Sequence, residues 1–187
     1  GLGVSVAVAG DVDGDGYDDV SVGATGYDNG QNDEGAAFLF PGSATGLSTI
    51  PSWQAEADHA DACFGRVVAS AGDVNGDGYD DVIVGAYAYS DGQSEEGAAY
   101  VFLGGFDGLA SEPIWQQETN ETGARFGFAV ASAGDVDADG YDDIVVGAYL
   151  HDGAVSNEGG AWLFTGGPTG PSAVGVALKP NATGDAQ

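Results

Sequence analysis

Asp11–Asp19 reads DVDGDGYDD, Asp73–Asp81 reads DVNGDGYDD and Asp135–Asp143 reads DVDADGYDD. The copies start 62 residues apart both times. Other landmarks keep this step: Gly23-Ala24, Gly85-Ala86 and Gly147-Ala148, then Glu34-Gly35, Glu96-Gly97 and Glu158-Gly159. Phe64-Gly65 and Phe126-Gly127 keep it as well, with Leu2-Gly3 as a worn counterpart. A fixed period of this length marks a repeat architecture in which each repeat is one supersecondary unit. The predicted units are residues 1–62, 63–124 and 125–187.

Each unit reads as four short strands. In the second, 66–71 alternates toward the acidic loop and 81–86 (DVIVGA) leaves it as a β-branched run. A polar turn leads to 98–103 (AAYVFL), and 112–118 around Trp115 comes last. No segment sustains a helical period, and 34 glycines punctuate the chain. The predicted fold is all-β: three four-stranded antiparallel units in series, as in propeller blades. Trp53 and Trp115 recur on the fourth strand, and Phe38, Tyr100 and Trp162 on the third. Aromatics in register point to packing between blades rather than to an isolated sugar site.

The order Phe-Gly, Asp-rich loop, Gly-Ala resembles the FG-GAP repeats of integrin α-subunit propellers and their bacterial relatives, over all three units. The proline that usually follows the Gly-Ala landmark is replaced by Thr25, Tyr87 and Tyr149. The resemblance implies three FG-GAP blades of a calcium-binding propeller, extracellular or at a cell surface. It also implies that partners dock on the end of the blades opposite the calcium loops. Three blades leave two open flanks, to be covered by other blades or other chains.

Each acidic loop has the oxygen spacing of a calcium site. Asp11, Asp13 and Asp15 fill alternate positions, followed by the Tyr17 backbone carbonyl and Asp19. The second set is Asp73, Asn75, Asp77, the Tyr79 carbonyl and Asp81; the third is Asp135, Asp137, Asp139, the Tyr141 carbonyl and Asp143. EF-hands share the first positions but end in glutamate at position 12, where this chain has Val22, Val84 and Val146, and a helix follows there instead of a strand. Capping of turns is the competing explanation for clustered aspartates, but triplication with constant spacing argues for Ca2+, one ion per repeat. Zinc lacks nitrogen and sulfur ligands here, and magnesium prefers smaller, more hydrated sites. Ala138 stands where the other loops have Gly14 and Gly76, and predicts local strain.

Charge narrows the partners. There are 30 acidic residues against three basic ones, Arg66, Arg125 and Lys179, and the net charge is −27. Such a surface repels nucleic acid and anionic lipid. No apolar run reaches the length of a membrane span, so direct membrane insertion is not expected; the sequence opens mid-pattern at Gly1, which leaves room for a leader removed or lying outside this segment. The single Cys63 excludes an internal disulfide and fits a small packed side chain. The histidines, His59 and His151, are neither repeated nor paired with a nucleophile, so no enzyme is expected. Asn120 and Asn181 open glycosylation-type triplets. Asp28, Asp33, Glu34, Asp91, Glu95 and Glu96, in the turns at the other end, could make a second cation site, although their spacing is loose. The expected function is an adhesion or ligand-recognition module for a protein or glycan. The alternatives are a structural repeat of a surface or appendage protein, or a non-catalytic propeller of a secreted enzyme or lectin.

Overall fold

The computed structural model describes residues 1–178; Lys179 and the Asn181 triplet lie outside the described residues. The chain forms three four-stranded antiparallel sheets, each built from four consecutive strands, with no helix among the described residues. Blade 1 holds β1 (Ser5–Gly10), β2 (Asp19–Ala24), β3 (Ala36–Phe40) and β4 (Trp53–Glu56). Blade 2 holds β5 (Val67–Gly72), β6 (Asp81–Ala86), β7 (Ala98–Phe102) and β8 (Trp115–Glu118). Blade 3 holds β9 (Phe126–Gly134), β10 (Asp143–Ala148), β11 (Gly160–Phe164) and β12 (Val176–Leu178). The fourth strand of blade 2 is shorter than the sequence pattern implies. Pro113 has no N–H for the ladder, and pairing with β7 starts at Trp115.

The apolar core lies between the blades. One cluster joins Ala9, Val12, Ala37 and Leu39 of blade 1 to Phe64, Val68, Val82, Val84 and Phe102 of blade 2. The next joins Val74, Ile83, Val101 and Trp115 of blade 2 to Phe126, Val130, Ile144 and Phe164 of blade 3. Successive side chains of a strand face opposite sides, so β6 supplies both clusters and all six of its residues are buried. In β2, Val20 and Val22 are only partly covered, because blade 1 has a neighbour on one side alone. Each tryptophan on a fourth strand reaches across to the next blade. Trp53 meets Phe102 edge-on, with ring centroids 4.9 Å apart, and its Nε1 donates to the Ala110 carbonyl at 2.8 Å. Trp115 repeats this with Phe164 and the Ser172 carbonyl.

The Phe-Gly and Gly-Ala landmarks mark one close crossing. A Cβ on Gly23 would stand 1.8 Å from the Gly65 carbonyl oxygen, and one on Gly85 2.0 Å from that of Gly127. Only glycine lets the second strand of one blade lie against the entry to the next. Gly147, which has no following blade, meets nothing closer than the Ala129 Cβ at 3.6 Å. At the positions where a proline is usual, Tyr87 packs on Phe128 and under the Arg125 guanidinium, and Tyr149 packs on Phe128.

Candidate metal centres

The aspartate loops join the first and second strands of each blade. The first aspartate organises the loop by taking backbone N–H groups. Asp11 Oδ1 accepts from Gly14 and Asp15 at 2.8 and 3.0 Å, and Oδ2 accepts from Gly16 at 2.9 Å. Asp73 accepts from Gly76, Asp77 and Gly78, and Asp135 accepts from Asp139 and Gly140. The last aspartate is buried at the root of the second strand. Asp19 accepts from Val12 and Gly42, Asp81 from Val74 and Gly104, and Asp143 from Val136 and Gly166. The Tyr17, Tyr79 and Tyr141 N–H groups donate to Asp15, Asp77 and Asp139.

In the first and third loops these bonds bring three carboxylates together; among the described residues Asp73, Asp77 and Asp81 of the second do not form such a group. Oxygens of Asp11, Asp13 and Asp15 lie within 4.8 Å of one another, as do those of Asp135, Asp137 and Asp143. In the second loop the Asn75 amide donates to Asp77 Oδ2 at 2.8 Å. Ala138 adopts φ of +62°, beside +74° and +76° at Gly14 and Gly76, so the strain expected from its side chain is present.

Burial pushes the Asp81 carboxyl up to about 7 against the pull of its two N–H bonds, with Asp77 and Asp73 adding repulsion. Burial likewise raises Asp19. Local desolvation raises Asp137, and Asp139 and Asp143 add repulsion. A cation would act in the opposite direction on every one of these groups.

Two further contacts were not legible in the repeat. The loops interlock from blade to blade: Asp80 Oδ2 accepts the Asp11 N–H at 2.9 Å, and Asp142 Oδ2 accepts the Asp73 N–H at 3.0 Å. The tyrosine rings also cover the preceding loop. A Cβ on Gly14 would lie 2.7 Å from Tyr79 Cε1, and one on Gly76 2.6 Å from Tyr141 Cε1. The Tyr-Asp-Asp run therefore supplies the tyrosine and its neighbour to the junction and the final aspartate to the loop.

Among the described residues no arginine or lysine pairs with a loop aspartate. Arg125 pairs with Glu95, and Arg66 lies over the Phe128 ring. His151 Nδ1 lies 2.6 Å from Glu121 Oε2 at the junction of blades 2 and 3, and His59 packs on Tyr89. Burial pushes the Cys63 thiol up, away from reactive thiolate character.

Four-stranded blades in series, each with an aspartate loop in its first hairpin, define a repeat of β-propeller type. The FG-GAP repeat profile matches residues 2–40, 64–102 and 126–164, and the chain belongs to the FG-GAP repeat family. It is 39% identical over 156 residues to integrin alpha-IIb of Mus musculus, a match covering 79% of this chain and 15% of that protein. It is 41% identical over 165 residues to integrin alpha pat-2 of Caenorhabditis briggsae, covering 79% and 13%. Integrin alpha-PS2 of Drosophila melanogaster is 38% identical over 167 residues, covering 81% and 12%. The chain thus spans less than a sixth of the length of these relatives.

Proposed function

We propose that this chain is an extracellular or cell-surface recognition module, without catalytic activity, whose three aspartate loops each bind one Ca2+. Uncompensated charge supports the metal reading most directly. Carboxylates converge in the first and third loops, no basic side chain among the described residues answers them, and every donor atom offered is oxygen. The ligands are Asp11, Asp13, Asp15, the Tyr17 carbonyl and Asp19, and their counterparts in the other two loops. Each ion would tie the first strand of a blade to the second and neutralise a loop that interlocks with its neighbour. Millimolar extracellular calcium suits sites of this kind.

Three ions offset only six of the 27 net negative charges, so the module stays acidic. The partner is a protein or glycan bound at the turns opposite the loops, a reading supported by the similarity to integrin alpha chains. The flanks call for further blades or other chains. Leu2, Val6 and Val8 are exposed on one side. On the other, Val176 and Leu178 of the last strand are exposed beside Leu163 and Ala161. A chain covering blade 3 cannot lay a tyrosine on residue 138 as blades 2 and 3 do on theirs, because Ala138 carries a Cβ there.

Thermal unfolding tests the calcium reading. A ligand bound at a hundred times its Kd adds about 2.7 kcal/mol per site, so three sites should move the midpoint by many degrees. Equal midpoints in millimolar calcium and in excess chelator would defeat the assignment.

A further inference from the structure

Glu34 is fully buried, yet half of its carboxylate has no partner. Oε1 accepts the Asn29 N–H, while Oε2 is sealed from solvent with no hydrogen bond. Gln31 Oε1, three residues earlier, is sealed and unpartnered too. The same pair recurs one repeat on. Gln93 Oε1 and Glu96 Oε2 have no partner, while Glu96 Oε1 accepts the Asp91 and Gln93 N–H groups. Native interiors leave few such acceptors, and each costs about 1–3 kcal/mol, more when charged. The same unpartnered acceptors at equivalent positions of two repeats point to a ligand.

The space around Glu34 is acidic. Glu56, at the end of β4, and Asp58, just beyond it, present carboxylate oxygens that lie with one of Glu34 within 4.8 Å of one another. Two ligands of one calcium, each at about 2.3–2.6 Å, stand at most about 5 Å apart, so the three oxygens fit a single ion. Asn29 Nδ2 donates to both Glu56 oxygens at 3.1 Å, and Gln54 Nε2 donates to Oε1, which hold that carboxylate in place. Among the described residues, no arginine or lysine pairs with the cluster.

We propose that Glu34, Glu56 and Asp58 form a second class of calcium site, with Gln31 Oε1 as a neutral donor. It lies at the end of blade 1 opposite the Asp11–Asp19 loop. Three carboxylates and an amide oxygen are hard donors, and their irregular origin suits the flexible coordination of calcium better than octahedral magnesium. The site sits where blade 1 hands over to blade 2: the Glu34 carbonyl accepts the Phe64 N–H at 2.9 Å, and Asp58 opens the connection. An ion there would hold that connection to the edge of blade 1. Glu56 and Asp58 also line a groove of about 390 Å³ shared with Tyr100 and Gln116, so the ion is reached from solvent.

Blade 2 keeps Gln93, Glu96 and Glu118 but has Asn120 in place of Asp58, so its version carries one charge fewer and binds more weakly. Blade 3 has Val155 in place of Gln31, and its exposed Glu158 accepts the Val155 N–H, which leaves no sealed vacancy.

Counting calcium tests the site. The whole chain, stripped of metal, is dialysed against a series of calcium concentrations, and bound ions are measured by atomic emission. The double variant Glu56→Gln, Asp58→Asn removes two exposed or half-exposed ligands without opening the core. It should lose one ion per chain while its circular dichroism stays native. Glu34→Gln should lose the same ion; a variant that keeps the full count would overturn the site. Equal counts for wild type and the double variant would overturn it as well. A loop variant, Asp13→Asn with Asp15→Asn, should lose a different ion. If its count does not fall, the loop assignment fails, and the Glu34 site still stands or falls on its own variants.

Discussion

Asp81 gives the sharpest test of how the fold holds its acidic loops. It is buried at the start of β6, and its two oxygens accept the Val74 and Gly104 N–H groups at 2.8 Å each. Without a cation, burial pushes it from its ordinary 3.8 to about 7. At 1.36 kcal/mol per tenfold change in proton activity, that difference is worth about 4 kcal/mol. Below pH 3.8 the group is protonated in both the folded and the unfolded chain, and the full stability is present. Between 3.8 and 7 the unfolded chain releases the proton while the folded one keeps it, so stability falls as pH rises. Above 7 the loss is complete. Metal-free protein should therefore lose up to about 4 kcal/mol between pH 4 and pH 8 through this residue.

Urea denaturation of metal-free protein across that range, repeated for Asp81→Asn, isolates the effect. Asparagine does not ionise, and its amide would face one of the two N–H donors. The variant is offset by about 1–3 kcal/mol at every pH and lacks the Asp81 slope. With millimolar calcium the wild-type slope should shrink or reverse, because the ion favours the carboxylate. Parallel curves for wild type and variant in metal-free buffer would refute the reasoning.

Gly23→Ala drives a Cβ into the Gly65 carbonyl and should cost at least about 3 kcal/mol in urea denaturation, whereas Gly147→Ala, whose Cβ would make only ordinary contact with Ala129, should stay within about 1 kcal/mol. Asp13→Asn should lower the calcium affinity of the first loop on the order of tenfold, toward that of the loop containing Asn75; calorimetric titration with no change in affinity would contradict the ranking. The chain on its own, with calcium present, should self-associate or bind a hydrophobic dye through its flanks, and a dye-free monomer by light scattering would show that the flanks need no cover.

What the sequence determined on its own is local. The aspartate loop spans nine residues, so alternate positions converge wherever the chain curls, and their spacing can be read without knowing the fold. Hairpin strands also betray themselves by alternation and by flanking glycines, and the step of 62 residues counted the blades. Only the tertiary structure decided what lies between blades. Nothing in the alternation of β2 and β6 says that one has a single buried face and the other two, since that depends on which sheets are neighbours. The tyrosine and middle aspartate of each Tyr-Asp-Asp run look like parts of their own loop. In space Tyr79 and Asp80 serve the loop of the preceding blade, across more than sixty residues of chain. Glu34 looks like a surface turn residue until Phe64 and its connection close over it. The glycines of the Phe-Gly and Gly-Ala landmarks carry no chemistry of their own, and their necessity appears only where Gly23 and Gly65 cross. Contacts of this kind follow from the stacking of whole sheets, which no local periodicity encodes.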